Sequence, residues 1–162
     1  MFSYLDKKIH DLEHIKTLNL FLIILLLIIV IALTSNFMAD KFEIDIAGQS
    51  SPFENDSLIF KFFMAVFIGP FIETFLINSL PYRFFKFFVN KISIVIILCS
   101  SLFAILHYYS FLYVLMTFFG GILLNLFYAI CINKKQPSYI LTVLLHSLYN
   151  FIGFVLIEFF NF

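Results

Sequence analysis

Charged residues are scarce in this chain. Only 12% of its 162 residues are Asp, Glu, Lys or Arg, whereas about a quarter of the residues in a soluble domain are charged. The ten basic and ten acidic residues balance, so no basic surface indicates a nucleic-acid partner. The chain is 62% hydrophobic and has 25 phenylalanines. This composition excludes an ordinary soluble domain and indicates an integral membrane protein.

Cysteine is nearly absent as well, and no repeat, heptad or low-complexity tract is present. Cys99 and Cys131 both fall within apolar runs. A free thiol in such surroundings behaves as a small hydrophobic side chain. We therefore expect neither cysteine to form a disulfide.

Long hydrophobic runs dominate what is present. A helix needs about 20 residues to cross the hydrocarbon core, and five runs qualify: residues 18–36, 58–80, 92–109, 111–132 and 139–160. The first run is not followed by a small-residue cleavage pattern, so we expect it to remain as an uncleaved anchor. The sequence predicts an all-α, polytopic membrane helix bundle with about five transmembrane helices. Its expected division is an N-terminal anchor helix with an outward acidic loop, residues 1–57, and a core, residues 58–162.

Lysines and arginines alternate between the predicted connections, with three, two, three, none, two and none in order along the chain. They are Lys7, Lys8 and Lys16; Lys41 and Lys61; Arg83, Lys86 and Lys91; and Lys134 and Lys135. Under the positive-inside rule this alternation predicts a cytoplasmic N-terminus and an outward C-terminus. The acidic stretch 40–56 is expected to be a solvated outward connector.

Few ionisable groups lie within the predicted spans. Glu158 is in the last turn, where a carboxylate can reach the interface. Glu73, His107 and His146 lie on three different spans, and each costs roughly 2.5–3.5 kcal/mol or more in its charged form within a membrane. We therefore expect these three side chains to share one pocket. His146 and Asn150 are spaced i and i+4, so they lie on one face of their helix.

Separate hydrogen bonds between helices are the alternative, although each contributes only about 0.6 kcal/mol on average in membranes. Asn125 and Ser100 are expected to be of this kind, and the Gly120–Gly121 pair is expected to permit close helix packing. A small ion or proton carrier, with Glu73 and the histidines as relay groups, also fits the residues. Proton flux in liposomes distinguishes the carrier.

Three segments resemble the ordered motifs of the CAAX protease and bacteriocin-processing family of intramembrane proteases. They are FIETFLIN from Phe71, FAILH from Phe103 and HSLYN from His146. The family motifs are Glu-Glu-x-x-x-Arg, Phe-x-x-x-His and His-x-x-x-Asn, and the resemblance covers about residues 60–160. It implies an endopeptidase that cleaves membrane-associated or lipidated peptides, including leader peptides, bacteriocins or signalling peptides in bacteria. The small size favours a bacterial cytoplasmic membrane.

The resemblance also implies roles for individual residues. Glu73 corresponds to the general base and His107 to its partner in holding and deprotonating a water. His146 and Asn150 correspond to the donors for the oxyanion. Phe103 belongs to the second motif as a supporting residue.

The first motif departs from the family pattern at two positions. Thr74 replaces the second glutamate and Asn78 replaces the arginine. Losing one member of a buried ion pair costs about 3–5 kcal/mol, whereas replacing both members with neutral groups can be nearly neutral. Thr74 and Asn78 can still hydrogen-bond, so the double change is expected to be compensated. The same change supports a different function, a non-enzymatic immunity or partner-binding membrane protein.

Other hydrolytic chemistries fit less well. A zinc ion held by Glu73, His107 and His146 is the alternative to a metal-free site. The helical His-Glu-x-x-His spacing is absent, so glutamate-activated water without a metal is favoured, and chelation with metal add-back separates the two. No Gly-x-Ser-x-Gly elbow supports a serine nucleophile, all four aspartates lie outside the spans, and neither cysteine is placed for catalysis.

Straight vertical helices would keep the site residues apart. At 1.5 Å per residue, Glu73 and His146 lie within about 10 Å of the cytoplasmic boundary and His107 roughly 14 Å deeper. A shared pocket therefore requires a helix break at Gly69-Pro70 or Pro81, a strong tilt, or an amphipathic stretch 81–91 that moves the boundaries.

Overall fold

The computed structural model describes residues 1–43, 56–108 and 110–160, and it is helical throughout these ranges, with no strand. Four of its helices are long and apolar enough to cross a membrane. The prediction of an all-α polytopic bundle is confirmed. In the described residues the helices are α1 (Phe2–Leu12), α2 (Thr17–Phe42), α3 (Leu58–Phe88), α4 (Ile92–Ile105), α5 (Phe111–Asn133) and α6 (Ser138–Phe160). Most of the predicted acidic loop, residues 44–55, lies outside the described residues.

The third predicted run, residues 92–109, is shorter than expected. Its helix α4 has 14 residues, or about 21 Å at 1.5 Å per residue, against a hydrocarbon core of about 30 Å. Helix α5 begins after Ser110, whose hydroxyl accepts a hydrogen bond from the Tyr113 backbone N–H at 3.2 Å. The predicted turn near Ser110 is therefore confirmed, but α4 alone does not span the membrane.

Helix α1 was not predicted, because it is amphipathic rather than apolar and buries only Ile9. It is attached to the start of α4, where the Asp6 carboxylate accepts the Ser93 backbone N–H at 2.8 Å. Acidic groups at the first turn of a helix satisfy its unpaired N–H groups. This contact places α1 beside the junction of α3 and α4.

The turn between α5 and α6 lies on the same side of the bundle as α1. The Lys134 ammonium donates to the Ile15 carbonyl at 2.6 Å, and the Thr17 hydroxyl donates to Gln136 at 2.7 Å. Eight of the ten lysines and arginines therefore gather on one side of the bundle, which we call the basic side. They are Lys7, Lys8, Lys16, Arg83, Lys86, Lys91, Lys134 and Lys135.

Helix α5 forms the centre of the bundle, with α2, α4 and α6 packed around it. Phe127 and Tyr128 are completely buried there, and Phe21 of α2 meets Phe127 edge-to-face. Cys99 and Cys131 are buried and free, as predicted. The Asn125 amide donates to the Ser100 hydroxyl at 3.4 Å, which confirms the predicted polar contact between helices.

Helix α3 continues through both prolines, with a widened turn before each one instead of a break. Met64–Ile68 and Thr74–Ser79 are π-helical. Gly69 donates its N–H to the Met64 carbonyl, and Leu80 donates to Phe75, each five residues back. The next residue in each case is a proline, which has no N–H to continue the ladder. Such π turns inside α-helices occur frequently at functional sites.

Candidate active site

The four predicted catalytic side chains line one pocket. Glu73, His107, His146 and Asn150 surround a cavity of about 130 Å³ together with Phe103. One water requires roughly 10–15 Å³ of such volume. The pocket therefore has room for a water and for part of a reacting group.

The expected difference in depth between His107 and the other residues is overcome locally. Helix α4 ends at Ile105, and the His107 side chain turns back along it, so that its Nδ1 lies 2.7 Å from the Phe103 carbonyl oxygen. A carbonyl can only accept, so Nδ1 donates this hydrogen bond. In a neutral ring, Nε2 then keeps a lone pair that can accept from a water.

Glu73 and His146 face each other between α3 and α6. Glu73 Oε2 lies 3.7 Å from His146 Nε2, and their side chains are 34% and 5% exposed. This distance is too long for a hydrogen bond. The carboxylate is consequently close to a ring N–H but still able to accept a hydrogen bond from a water in the pocket.

Asn150 supports α3 at the first π turn. Its Nδ2 donates to the Ala65 carbonyl oxygen at 2.8 Å. That oxygen lacks its usual helical donors, because the Gly69 N–H goes to Met64 and Pro70 has no N–H. One Asn150 N–H is therefore engaged with backbone, and the second N–H of the amide remains for another acceptor.

Residues 55–152 match the family model of the Rce1-like, type II CAAX prenyl endopeptidases. The chain belongs to this family. All four pocket residues lie inside the matched range of this Rce1-like chain, whereas α1 and α2 precede it. Comparisons with curated proteins and with solved structures give no match.

The two positions that depart from the family motif are both buried at the second π turn. Thr74 and Asn78 have no exposed surface, and among the described residues their side-chain polar atoms have no hydrogen-bond partner. The prediction that hydrogen bonds compensate the double change is wrong. Because the turn is π-helical, residues i and i+4 are no longer in α-helical register along one face. Unpaired buried polar atoms each cost about 1–3 kcal/mol.

Phe103 connects the two imidazoles of the Rce1-like pocket. Its buried ring lies 4.4 Å from the His107 ring and 6.2 Å from the His146 ring, measured between centroids. Shifting this phenylalanine would therefore move or release both histidines. The supporting position assigned to it from the sequence is consistent with this packing.

Part of the pocket wall was missed by the sequence analysis. Ile28 and Ile31 of α2 line it from one side, and Tyr113 and Thr117 of α5 from another. The isoleucines stand in an unbroken apolar run, so no local signal distinguishes them from lipid-facing neighbours. Tyr149 also lines the pocket, and its place beside Asn150 in the third motif was the one available indication.

No group of three or more His, Cys, Asp or Glu side chains is arranged to hold a metal ion in the part of the chain that the structure describes. The predicted zinc ligands Glu73, His107 and His146 line the same pocket. The short contact between them is the one that joins Glu73 to His146.

We expect Gly121→Ala to destabilise the protein by about 1–3 kcal/mol, the usual cost of overpacking. A Cβ at Gly121 would lie 3.1 Å from Phe103 Cδ1 and 3.4 Å from the Ser100 Cα. The unfolding temperature in detergent measures the effect. The neighbouring Gly120 has no atom within 4 Å of a built Cβ, so close packing, predicted for both glycines, holds only at Gly121.

Gly153→Ala is the matched control, because a Cβ there also meets nothing within 4 Å and alanine is a better helix former. Equal unfolding temperatures for the Gly121→Ala and Gly153→Ala variants would contradict the packing between α4 and α5.

Proposed function

We propose that this chain is an intramembrane endopeptidase that hydrolyses peptide bonds of membrane-associated or lipidated peptides with a water activated by Glu73. The observation that carries the proposal is the shared pocket of Glu73, His107 and His146, contributed by three separate segments. Ionisable groups inside a membrane are costly and normally face a functional cavity. Membership of the CAAX prenyl endopeptidase family supports the same activity.

In the proposed reaction, Glu73 takes a proton from a water that also donates a hydrogen bond to His107 Nε2. The water oxygen attacks the scissile carbonyl carbon and forms a tetrahedral intermediate. Glu73 then transfers the proton to the leaving nitrogen as the C–N bond breaks, so that an acid and an amine are released. No proton is gained or lost overall, and positioned acid–base groups typically accelerate such steps about 10²–10⁴-fold.

The oxyanion of the intermediate requires hydrogen-bond donors. His146 Nε2 is the ring nitrogen that faces Glu73, so its N–H can donate to an oxygen that forms beside the carboxylate. The Asn150 amide has one N–H engaged with Ala65 and can donate the other. We propose these two donors, with Asn150 also holding the π turn of α3 in place. The proposed reaction uses no metal, with zinc on Glu73, His107 and His146 as its alternative.

We place the basic side in the cytoplasm, because short cytoplasmic connections carry an excess of lysine and arginine. The N-terminus is then inside, and the proposed location is a bacterial cytoplasmic membrane. The substrate is a peptide held at or in the bilayer. Its cleavage as a leader, signalling peptide or bacteriocin is part of the proposal.

A non-enzymatic, partner-binding or immunity protein is the second candidate function. The observation that favours it is the pair of unpartnered polar side chains, Thr74 and Asn78, directly after Glu73. A scaffold that no longer needs precise catalytic positioning can tolerate such a defect. The proposed endopeptidase retains the full set of pocket residues in spite of it.

Proteomics of membrane peptides separates the two candidate functions. Cells with the native chain should lack, or contain in shortened form, at least one peptide that accumulates uncut with the Glu73→Gln/His107→Ala double variant. Glu158→Gln is the control, because its carboxylate pairs with Lys61 at the opposite end of α3 and α6. If the double variant retains the biological activity of the native chain, the protein acts by binding rather than by hydrolysis.

A further inference from the structure

A second cavity, separate from the candidate active site, opens on the outer face of α3. It is a groove of about 560 Å³ lined by Phe71, Ile72, Phe75, Leu76, Ser79, Arg83 and Tyr139, which we call the Arg83 groove. It shares no lining residue with the pocket around Glu73. Its volume falls within the range of roughly 300–1,000 Å³ that is typical of small-molecule sites.

The groove is apolar along its length and positively charged at one end. Phe71, Phe75 and Leu76 are each about half exposed, and the single charged residue in the lining is Arg83. Four ion pairs occur among the described residues, and Arg83 belongs to none of them. An exposed guanidinium without a carboxylate partner is suited to binding a phosphate group.

The position and length of the groove fit one leaflet of a bilayer. Arg83 lies near the end of α3 on the basic side, five residues before Phe88. Phe71 lies twelve residues earlier in the same helix, about 18 Å away at 1.5 Å per residue. Half of a hydrocarbon core is roughly 15 Å. A lipid with its phosphate at Arg83 would therefore have an acyl chain alongside Leu76, Phe75 and Phe71.

Tyr139 gives the groove a fixed second wall. Its hydroxyl donates to the Phe71 carbonyl oxygen at 2.8 Å, and its ring packs edge-to-face against Phe71 and Phe75. The wall of α6 is thus attached to α3 instead of standing apart from it. A rigid apolar groove binds a chain at a lower entropic cost than a mobile surface does.

We infer that the Arg83 groove binds an anionic phospholipid of the leaflet on the basic side, with the phosphate at Arg83 and one acyl chain along α3. The site is independent of the proposed hydrolysis, because it shares no residue with the Glu73 pocket. An apolar chain accounts for the lining and an anion accounts for the unpaired guanidinium. Juxtamembrane cations attract anionic lipids in the same way at the cytoplasmic face of membranes.

Competition between lipids on the full-length chain tests the site. The chain is reconstituted in nanodiscs with equal amounts of phosphatidylglycerol and phosphatidylcholine, and the lipids that remain bound after mild release are counted by native mass spectrometry. We expect bound phosphatidylglycerol to exceed bound phosphatidylcholine, and Arg83→Gln to reduce that ratio about fivefold, the size expected for one cation at an anionic surface.

Lys86→Gln is the matched control, because it removes the same charge from the same helix. The Lys86 ammonium donates to the Asn90 carbonyl at 2.9 Å and does not line the groove, so we expect less than about a twofold change. Leu76→Trp retains Arg83 but fills the groove, and should reduce the binding of both lipids. Equal losses with Arg83→Gln and Lys86→Gln, or no preference in the native chain, would overturn the inference in favour of diffuse surface charge.

Discussion

Glu73→Gln is expected to lower the rate of peptide hydrolysis by at least about 100-fold, the lower end of the contribution of a general base. Glutamine keeps the size of the side chain but cannot take a proton from water. The proposed water lies between this carboxylate and His107 in a pocket of about 130 Å³, where no other carboxylate lines the wall. Hydrolysis of a lipidated peptide by the purified chain in liposomes measures the rate.

Two comparisons make this result specific. Glu158→Gln removes a carboxylate of similar exposure that pairs with Lys61 at 3.9 Å, and it should leave the rate within about threefold of the native value, because a partly exposed pair contributes little. The unfolding temperature of the Glu73→Gln variant should remain close to that of the native chain. A folded Glu73→Gln variant that cleaves at the native rate would exclude Glu73 as the general base.

Asn78→Arg alone is expected to destabilise the protein by about 3–5 kcal/mol, because it places an uncompensated charge at a fully buried position. Thr74→Glu alone should have a similar cost for the same reason. Together the two changes restore the charges of the family motif, and the double variant should be more stable than the sum of the single effects predicts. Neighbouring charged pairs show coupling of about 0.5–3 kcal/mol, which denaturant titration in mixed micelles can measure.

Asn78→Leu separates the effect of charge from that of volume. It removes two buried polar atoms that have no partner, so it should be neutral or slightly stabilising. If the Thr74→Glu and Asn78→Arg effects were simply additive, the two side chains would not reach each other across the π turn, and the family ion pair could not form in this chain.

The spacing of the site residues could be predicted because each motif is local. The periodicity of a helix places His146 and Asn150 on one face whatever surrounds them, and the cost of buried charge requires Glu73, His107 and His146 to have a cavity or a partner. The four helices long enough to span a membrane were likewise predictable, since hydrophobic length is read directly along the chain. Contacts with the unmatched N-terminal part were not, because Ile28 and Ile31 carry no local signal.

The π turns of α3 could not be predicted with the same rules. Gly69-Pro70 and Leu80-Pro81 indicate an interruption, but the sequence does not say whether the helix breaks or widens. Packing decides it: Asn150 satisfies the Ala65 carbonyl that Pro70 leaves without a donor, so a wide turn costs less than a break. The same turn disrupts the expected contact between Thr74 and Asn78.

The amino-acid sequence by itself determined that this protein is a membrane-embedded helical bundle, which residues within it are too polar to face lipid, and which motifs they form. These features depend on hydrophobic length and on spacing within single helices. Only the tertiary structure decided that α4 ends at Ile105, that His107 turns back onto Phe103, and that Glu73 meets His146 across α3 and α6. Those outcomes depend on hydrogen bonds and packing between segments distant in sequence, which no local pattern encodes.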